Sequence, residues 1–263
     1  MFLKFKSLCS GSSGNSALLW TGASALLVDF APGSQRDCRA ALASARKLCG
    51  RVDAVLVTHA HGDHINANSL RVLHEEGLKA RCHPEVCRQI GQRHGGKYAA
   101  VLSPFCDALT VGEFEVRQAR VDHAPGYYTT AFIITASGPG RAYKASVFTD
   151  LHGFTGEHVG LAANSDLILL ESNHDAEMLK RCGHPGSEFH LPNHKTAAFL
   201  HAICAAGAAQ PRAVILGHLS ADCNQPHLPQ EAIEKFFREK GLPVKFKIQV
   251  ANRYEPGRLI TIV

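Results

Sequence analysis

Ala54-Val55-Leu56-Val57-Thr58-His59-Ala60-His61-Gly62-Asp63-His64 is the stretch on which the reading of this chain turns. Its first residues form a continuous apolar run, which predicts a strand over Ala54 to Thr58 that is buried on both faces. Three imidazoles and a carboxylate follow within six residues. Neutral imidazole and carboxylate suit zinc, iron or manganese. Ala60 and Gly62 are small and let a tight loop fold closely around ions. In such a loop His59 and His61 point one way, while Asp63 and His64 turn toward a second centre. A lone histidine here would be a solvated turn residue; this density behind a buried strand is that of a metal site.

The rest of the chain sets the frame. Its 263 residues, 45% hydrophobic and 19% charged, exclude intrinsic disorder and provide for a packed core. No repeat, low-complexity tract or linker interrupts them, so residues 1–263 are expected to form one domain. The net charge of +5, from 28 Lys+Arg against 23 Asp+Glu, is compatible with an anionic or phosphorylated substrate. No block of like charges forms a nucleic-acid arm. With 7% aromatic residues there is no evident base-stacking platform, and Tyr127 with Tyr128 is the expected exposed pair near the site. Sixteen histidines point to metal or proton chemistry. The nine cysteines are odd in number, scattered and without a CxxC pair, which predicts reduced thiols in a cytoplasmic protein and excludes a zinc knuckle. No segment has the length of a membrane span, and no signal-peptide core follows the alternating start.

Working outward from the motif, strands are predicted over Phe2 to Leu8, Ala17 to Trp20 and Ala25 to Asp29, with Gly/Ser-rich turns between them. A helix follows over Arg36 to Leu48. Beyond the motif, helices are expected at Asn68 to Glu76 and Pro84 to Arg93, the latter with proline in its first turn. A strand at Lys79 to Cys82 lies between them. Strands are predicted near Glu113 to Gln118, Thr130 to Thr135, Tyr143 to Phe148, Leu167 to Glu171, Ala213 to Leu216 and Leu259 to Val263. Two further helices span His194 to Ala205 and Gln230 to Lys240. Two halves, each with strands first and helices after, predict an α/β (α+β) fold: an αββα four-layer sandwich of two sheets face to face.

The motif His59 to His64 resembles the signature of the metallo-β-lactamase fold superfamily. Leu8-Cys9-Ser10-Gly11-Ser12-Ser13-Gly14-Asn15-Ser16, Phe148-Thr149-Asp150, Glu171-Ser172-Asn173-His174-Asp175 and Gly217-His218-Leu219-Ser220 narrow the resemblance to its YycJ/WalJ-like group, metallohydrolases described as DNA exonucleases. The resemblance implies two divalent metal ions, zinc first, with manganese or iron as alternatives. It implies one ion on His59, His61 and His123, a second on Asp63, His64 and His218, and Asp150 shared between them. His83 and His94 compete with His123 for the third position, His83 with the rival role of capping the helix at Pro84. Departures from the group are Ala60 and Gly62 inside the motif, Leu151-His152-Gly153 after Asp150, and Leu191-Pro192-Asn193-His194-Lys195 after His190; these bear on substrate.

Two such ions lower the pKa of a bridging water and clamp the oxygens of an in-line displacement, so the expected chemistry is hydrolysis by a metal-bridging hydroxide that Asp63 orients. The leaving oxygen needs a proton, for which His190 and His174 are the candidates. His152, His158, His184 and His227 are expected at the surface. Asp29 is expected to support a ligand imidazole from behind, and Asn15 to reach the edge of the site. Ser10 to Ser16 is either an anion-binding loop or a plain hairpin turn; Ser220 and Asn224 either contact phosphate or form a turn. The expected activity is a dinuclear metal-dependent phosphodiesterase, nuclease-like, on a phosphodiester substrate such as nucleic acid. The alternative keeps the fold and changes the substrate to a cyclic phosphodiester, lactone or thioester. No membrane partner is expected, and a homodimer stays open.

Overall fold

The computed structural model describes residues 2–137, 140–183 and 185–263. β1 (Leu3–Cys9), β2 (Ser16–Trp20) and β3 (Ala25–Val28) form an antiparallel meander. After α1 (Gln35–Cys49), the sheet grows in parallel through β4 (Ala54–Leu56), α2 (Ala67–Glu75), β5 (Ala80–Cys82), α3 (Pro84–Arg93) and β6 (Leu102–Pro104). A second sheet starts antiparallel with β7 (Ala108–Val111), β8 (Phe114–Val121), β9 (Thr129–Ala136) and β10 (Tyr143–Phe148). It continues in parallel through α4 (Gly156–Ala162), β11 (Leu167–Glu171), α5 (Ala176–Cys182), a 3-10 turn over Pro185–Phe189, α6 (Asn193–Ala206), β12 (Ala213–Gly217), α7 (Leu228–Glu239) and β13 (Lys247–Val250). β14 (Ile260–Ile262) returns to pair with β1. Among the described residues the orders are β14-β1-β2-β3-β4-β5-β6 and β13-β12-β11-β10-β9-β8-β7.

Side-chain alternation builds the layers. Leu19, Leu26, Ala54 and Leu56 face inward and meet Phe114, Phe132, Ile134 and Ile215 from the other sheet. On the outer side of the first sheet, Leu18, Trp20, Leu27 and Val55 pack on Leu42 of α1, Leu70 and Leu73 of α2, and Ile90 of α3. On the outer side of the second, Ile168 and Val214 pack on Phe199 and Leu200 of α6 and Phe237 of α7. Three apolar interfaces between four layers make the αββα sandwich. The run Ala54 to Val57 lacks alternation because both of its faces are covered.

The predicted bounds of α3, β10 and β11 coincide with those observed, and the other predicted elements shift by a residue or two, apart from β8, which runs on to Val121. Unforeseen are β6, β7, β13, α4 and α5. The three strands are only three or four residues long, too short for a period to declare itself. The two seven-residue helices are set by their ends: Thr155 caps α4 in a capping box with His158, Asp175 caps α5, and left-handed Gly183 ends it.

Two expectations fail. Cys182 and Cys223 form a disulfide, so the reduced-thiol reading does not hold for that pair. Spacing hides the bridge, since 41 residues separate the partners. Nor is His158 at the surface: it is buried, with Nδ1 accepting from Thr155 N and Nε2 donating to the Arg120 carbonyl. His152 and His227 are exposed, and His184 lies outside the described residues.

Candidate metal centre

All the histidines and carboxylates of interest stand at one end of the sandwich, just past the C-terminal ends of the parallel strands. The motif loop leaves β4 and is pinned at both ends. Thr58 donates through N and Oγ1 to Asp29 Oδ1 at 2.9 and 3.0 Å, and its carbonyl accepts from Thr130 N and Oγ1 of β9, which ties the two sheets together at the site. The loop closes on itself with His64 N and Ile65 N donating to the His61 carbonyl. From the other side Asn15 donates its backbone N–H to the Asp63 carbonyl at 2.7 Å. This approach needs a glycine before it, since a Cβ on Gly14 would stand 2.0 Å from the Ala31 carbonyl oxygen.

The structure brings all seven predicted ligands together. His59 Nε2, His61 Nδ1 and His123 Nε2 form one group, with His61 Nδ1 2.9 Å from His59 Nε2 and 3.3 Å from His123 Nε2. Asp63, His64 and His218 form another, with Asp63 Oδ2 3.5 Å from His64 Nε2 and 3.1 Å from His218 Nε2. Asp150 lies between them: its Oδ2 is 2.6 Å from His64 Nε2 and 3.9 Å from His59 Nε2, and its Oδ1 is 3.1 Å from His218 Nδ1.

Partners behind the rings fix which nitrogen faces inward. His123 Nδ1 donates to the Phe189 carbonyl at 3.0 Å, which leaves Nε2 as the lone-pair atom. His59 Nδ1 rests on Thr58 Oγ1, and His64 Nδ1 on Asp29 Oδ2 at 2.7 Å. Asp29 thus backs the His64 imidazole from behind. Asn15, buried, reaches farther than the edge of the site: its Nδ2 is 3.1 Å from His64 Nε2 and 3.4 Å from Asp63 Oδ2.

Glu171 is the residue the sequence reading passed over. It ends β11 fully buried, and Oε1 stands 2.5 Å from His190 Nδ1 and 3.1 Å from His218 Nδ1, while Oε2 accepts from Leu151 N and Leu191 N. The available signal was a carboxylate closing the apolar run Leu167 to Leu170. His190 also lies 3.2 Å from Asp150 Oδ1 and stacks on His218. His174 is not among the converging groups; its Nδ1 meets Asn173 Oδ1, and its backbone pairs with Pro192 and Asn193. His83 caps α3 by accepting from Glu85 N, and His94 sits at that helix's far end. Ser220 and Asn224 serve the turn: Ser220 Oγ accepts from Cys223 N, and the buried Asn224 amide bridges the Ser172 and Asn173 carbonyls. Tyr127 and Tyr128 are half-buried, their rings on His61 and His83.

The electrostatics divide the site in two. Burial, reinforced by neighbouring imidazoles, holds His59 far below the usual histidine range, takes His61 down to about 4, and lowers His123. These three are therefore neutral lone-pair donors. Burial opposes charge on the other side as well, but there opposite charges win. His64 is raised by Asp150, Asp29 and Asp63; His218 rises to about 9 beside Asp150 and Asp63; His190 rises to about 11 against Glu171 and Asp150. The carboxylates answer in kind: Asp63 and Asp150 fall well below their usual range despite burial, and Glu171 falls to about 2. Asp29, Asp63, Asp150 and Glu171 thus gather negative charge around His64 and His218, a setting that favours a positive partner. This donor set fits divalent cations. One neutral three-imidazole face and one carboxylate-imidazole face share a carboxylate, and spacings of about 3 Å suit nitrogen and oxygen ligands held at roughly 2.0–2.2 Å. Asp29, Asp150 and His218 also hold left-handed backbones, with φ of 54°, 55° and 56°, each just after a strand.

Residues 25–219 match the family model of the beta-lactamase superfamily domain. The chain belongs to this family. Within it, the chain is 27% identical over 257 residues to the exodeoxyribonuclease YycJ of Bacillus anthracis, covering 93% of this chain and 92% of that one. It is 26% identical over 263 residues to the exodeoxyribonuclease WalJ of Streptococcus pneumoniae serotype 2, covering 93% of each. In fold it is similar to the metallo-β-lactamase fold protein YhfI from Bacillus subtilis, with a TM-score of 0.71, 18% identity and coverage of 98% and 99%. The fold of this superfamily implies divalent metal ions, and among the described residues the groups that could hold them are the two triads, His59, His64 and Asp150 together, and Asp150, Glu171, His190 and His218 together. Among the described residues no helix is long and apolar enough to cross a membrane.

Proposed function

We propose that this chain is a dinuclear metal-dependent phosphodiesterase of exodeoxyribonuclease type, acting on nucleic acid in the cytoplasm. The observation that carries the reading is the pair of donor triads meeting on Asp150, with the His190 imidazole 3.2 Å from that carboxylate. His59, His61 and His123 would hold one cation and Asp63, His64 and His218 the other, with Asp150 available to both; zinc suits the nitrogen-rich first set, and manganese or iron suits the second as well. When bound, such a pair supplies Lewis-acid stabilisation of phosphoryl oxygens and acidifies water. The names of the relatives YycJ and WalJ support DNA as the substrate.

The side chains supply the rest. Asp63, with Oδ2 turned between His64 and His218, orients the attacking solvent molecule. His190 donates the proton to the leaving oxygen. Glu171 and Asp150 hold its Nδ1, which keeps the ring charged and leaves Nε2 for the substrate. Glu171 also braces His218, so a single buried carboxylate positions a ligand and the acid together. We take residues 1–263 as one domain because the central core draws on both sheets.

The test is a screen of protein reconstituted with zinc or manganese against single- and double-stranded DNA, RNA, bis-p-nitrophenyl phosphate, a lactone and a thioester. Hydrolysis of the phosphodiesters with two metal equivalents by elemental analysis is the expected result. Opening of the lactone or thioester with the phosphodiesters untouched would overturn it.

A further inference from the structure

Two arginines flank the cluster with their guanidinium groups held in place by neutral acceptors alone. Arg93, the last residue of α3, donates to the carbonyl oxygen of Ala60, between His59 and His61, and to Tyr127 Oη at 3.3 Å. The Tyr127 ring in turn lies 3.8 Å from that of His61, centroid to centroid. Arg253, in the loop after β13, donates from Nη1 to Ser12 Oγ at 2.9 Å and from Nη2 to the Leu219 carbonyl at 2.7 Å, one residue past His218. Gly11 approaches it so closely that a Cβ there would stand 3.1 Å from the guanidinium carbon. The same N-terminal loop reaches the cluster, since Ser10 Oγ accepts from His218 N and Asn15 Nδ2 contacts His64. Arg93 is thus tied to the motif loop that carries His59 to His64, and Arg253 to the N-terminal loop, whose Asn15 contacts His64, and to the loop that starts at His218. Among the described residues neither arginine has a carboxylate within ion-pair distance.

A guanidinium carries five N–H donors, and each of these arginines uses two on backbone or hydroxyl oxygens. Its rotamer is then fixed in advance, while its charge and remaining donors stay available to an anion, and less freedom is lost when one arrives. Most basic side chains of this protein lack such a setting: Arg39, Arg46, Arg71 and Arg88, for example, pair with glutamates. The geometry points to Arg93 and Arg253 as a pair of backbone-phosphate contacts, one on each flank of the metal centre, that seat a nucleic-acid strand by the phosphates on either side of the scissile one. The inference rests on the phosphodiesterase reading and deepens it. A strand offers each arginine a phosphate of its own beside the scissile one, which a small diester with a single phosphorus does not.

The test uses protein purified with its metal and a short single-stranded DNA, fluorescein-labelled and phosphorothioate-linked to resist cleavage. Binding is followed by anisotropy between about 50 and 200 mM salt. Arg93→Ala and Arg253→Ala are each expected to weaken binding about tenfold, and each to flatten the slope of log affinity against log salt by about one. The double variant flattens it by about two. Arg253→Lys restores the slope but only part of the affinity, because lysine keeps the charge and loses the fork. For the unmodified strand as substrate, KM rises more than for bis-p-nitrophenyl phosphate. Unchanged salt slopes in both alanine variants overturn the inference while leaving the phosphodiesterase reading intact. So does loss of metal from Arg253→Ala by elemental analysis, which would make the residue a brace for the His218 loop. Wild-type protein that hydrolyses no phosphodiester overturns the parent reading and this inference with it.

Discussion

The two sheets build their halves of the candidate metal centre in opposite ways. The first delivers four donors, His59, His61, Asp63 and His64, from one loop of six residues. The second delivers Asp150, Glu171 and His218 one at a time from the ends of β10, β11 and β12, with His123 from the loop before β9. Neighbouring strands of a sheet run about 4.8 Å apart, so residues at the ends of adjacent parallel strands meet however far apart they lie in sequence. Glu171 and His218 touch across 47 residues for this reason. Local density is what a sequence displays; convergence at strand ends is what only a sheet supplies.

The supports differ in the same sense. Asp29, Thr58 and Asn15 hold the first loop at several points, whereas on the second sheet one non-bridging carboxylate, Glu171, braces both His218 and His190 beside Asp150. The contrast predicts an order of effects. Asp150 is shared by the halves, so Asp150→Ala is expected to lower hydrolysis of bis-p-nitrophenyl phosphate by about a thousandfold or more, with the circular dichroism of the fold retained. Turnover surviving that change would break the picture of a joint centre. His190→Ala should slow DNA hydrolysis by about 10²–10⁴-fold. It should do far less to a p-nitrophenyl ester, whose leaving group departs without a proton; equal losses on both substrates would remove His190 as the acid. Glu171→Gln, which loosens two imidazoles at once, should cost about 10–100-fold in turnover or metal affinity. Asp29→Asn, one support among several, should lie at about tenfold, read by competition with a chromogenic chelator. If Asp29→Asn proves the more damaging, the contrast between the halves is wrong. Phe199→Ala, in the outer core of the second sheet against Phe148 and Phe154, should leave turnover per folded molecule unchanged while lowering the unfolding free energy by about 3–5 kcal/mol in urea titration.

What the sequence displayed follows this division. The motif His59 to His64 and the doubly buried strand before it announce themselves by density and by the missing alternation. Asp150 and His218 were reachable because each follows an apolar run, and the family resemblance named them. Glu171 follows such a run too, but a carboxylate at a strand end is equally at home facing solvent, and only the packing of β10, β11 and β12 turns it inward. Arg253 was invisible because its neighbours Ser12 and Leu219 are 241 and 34 residues away. The Cys182–Cys223 bridge was hidden likewise, since α5 was itself unforeseen and spacing alone gives no pairing.

The left-handed backbones of Asp29, Asp150 and His218 have a consequence for the protein as an object of selection. A side-chain-bearing residue in a disfavoured conformation of this kind costs about 1–3 kcal/mol, and glycine adopts it freely. Three positions that would favour glycine on conformational grounds are filled instead by two acids and an imidazole. Glycine at any of them would relax the turn and remove the group that the turn presents. The most robust version of this scaffold is therefore an inert one, and heat resistance and chemistry pull these three residues in opposite directions.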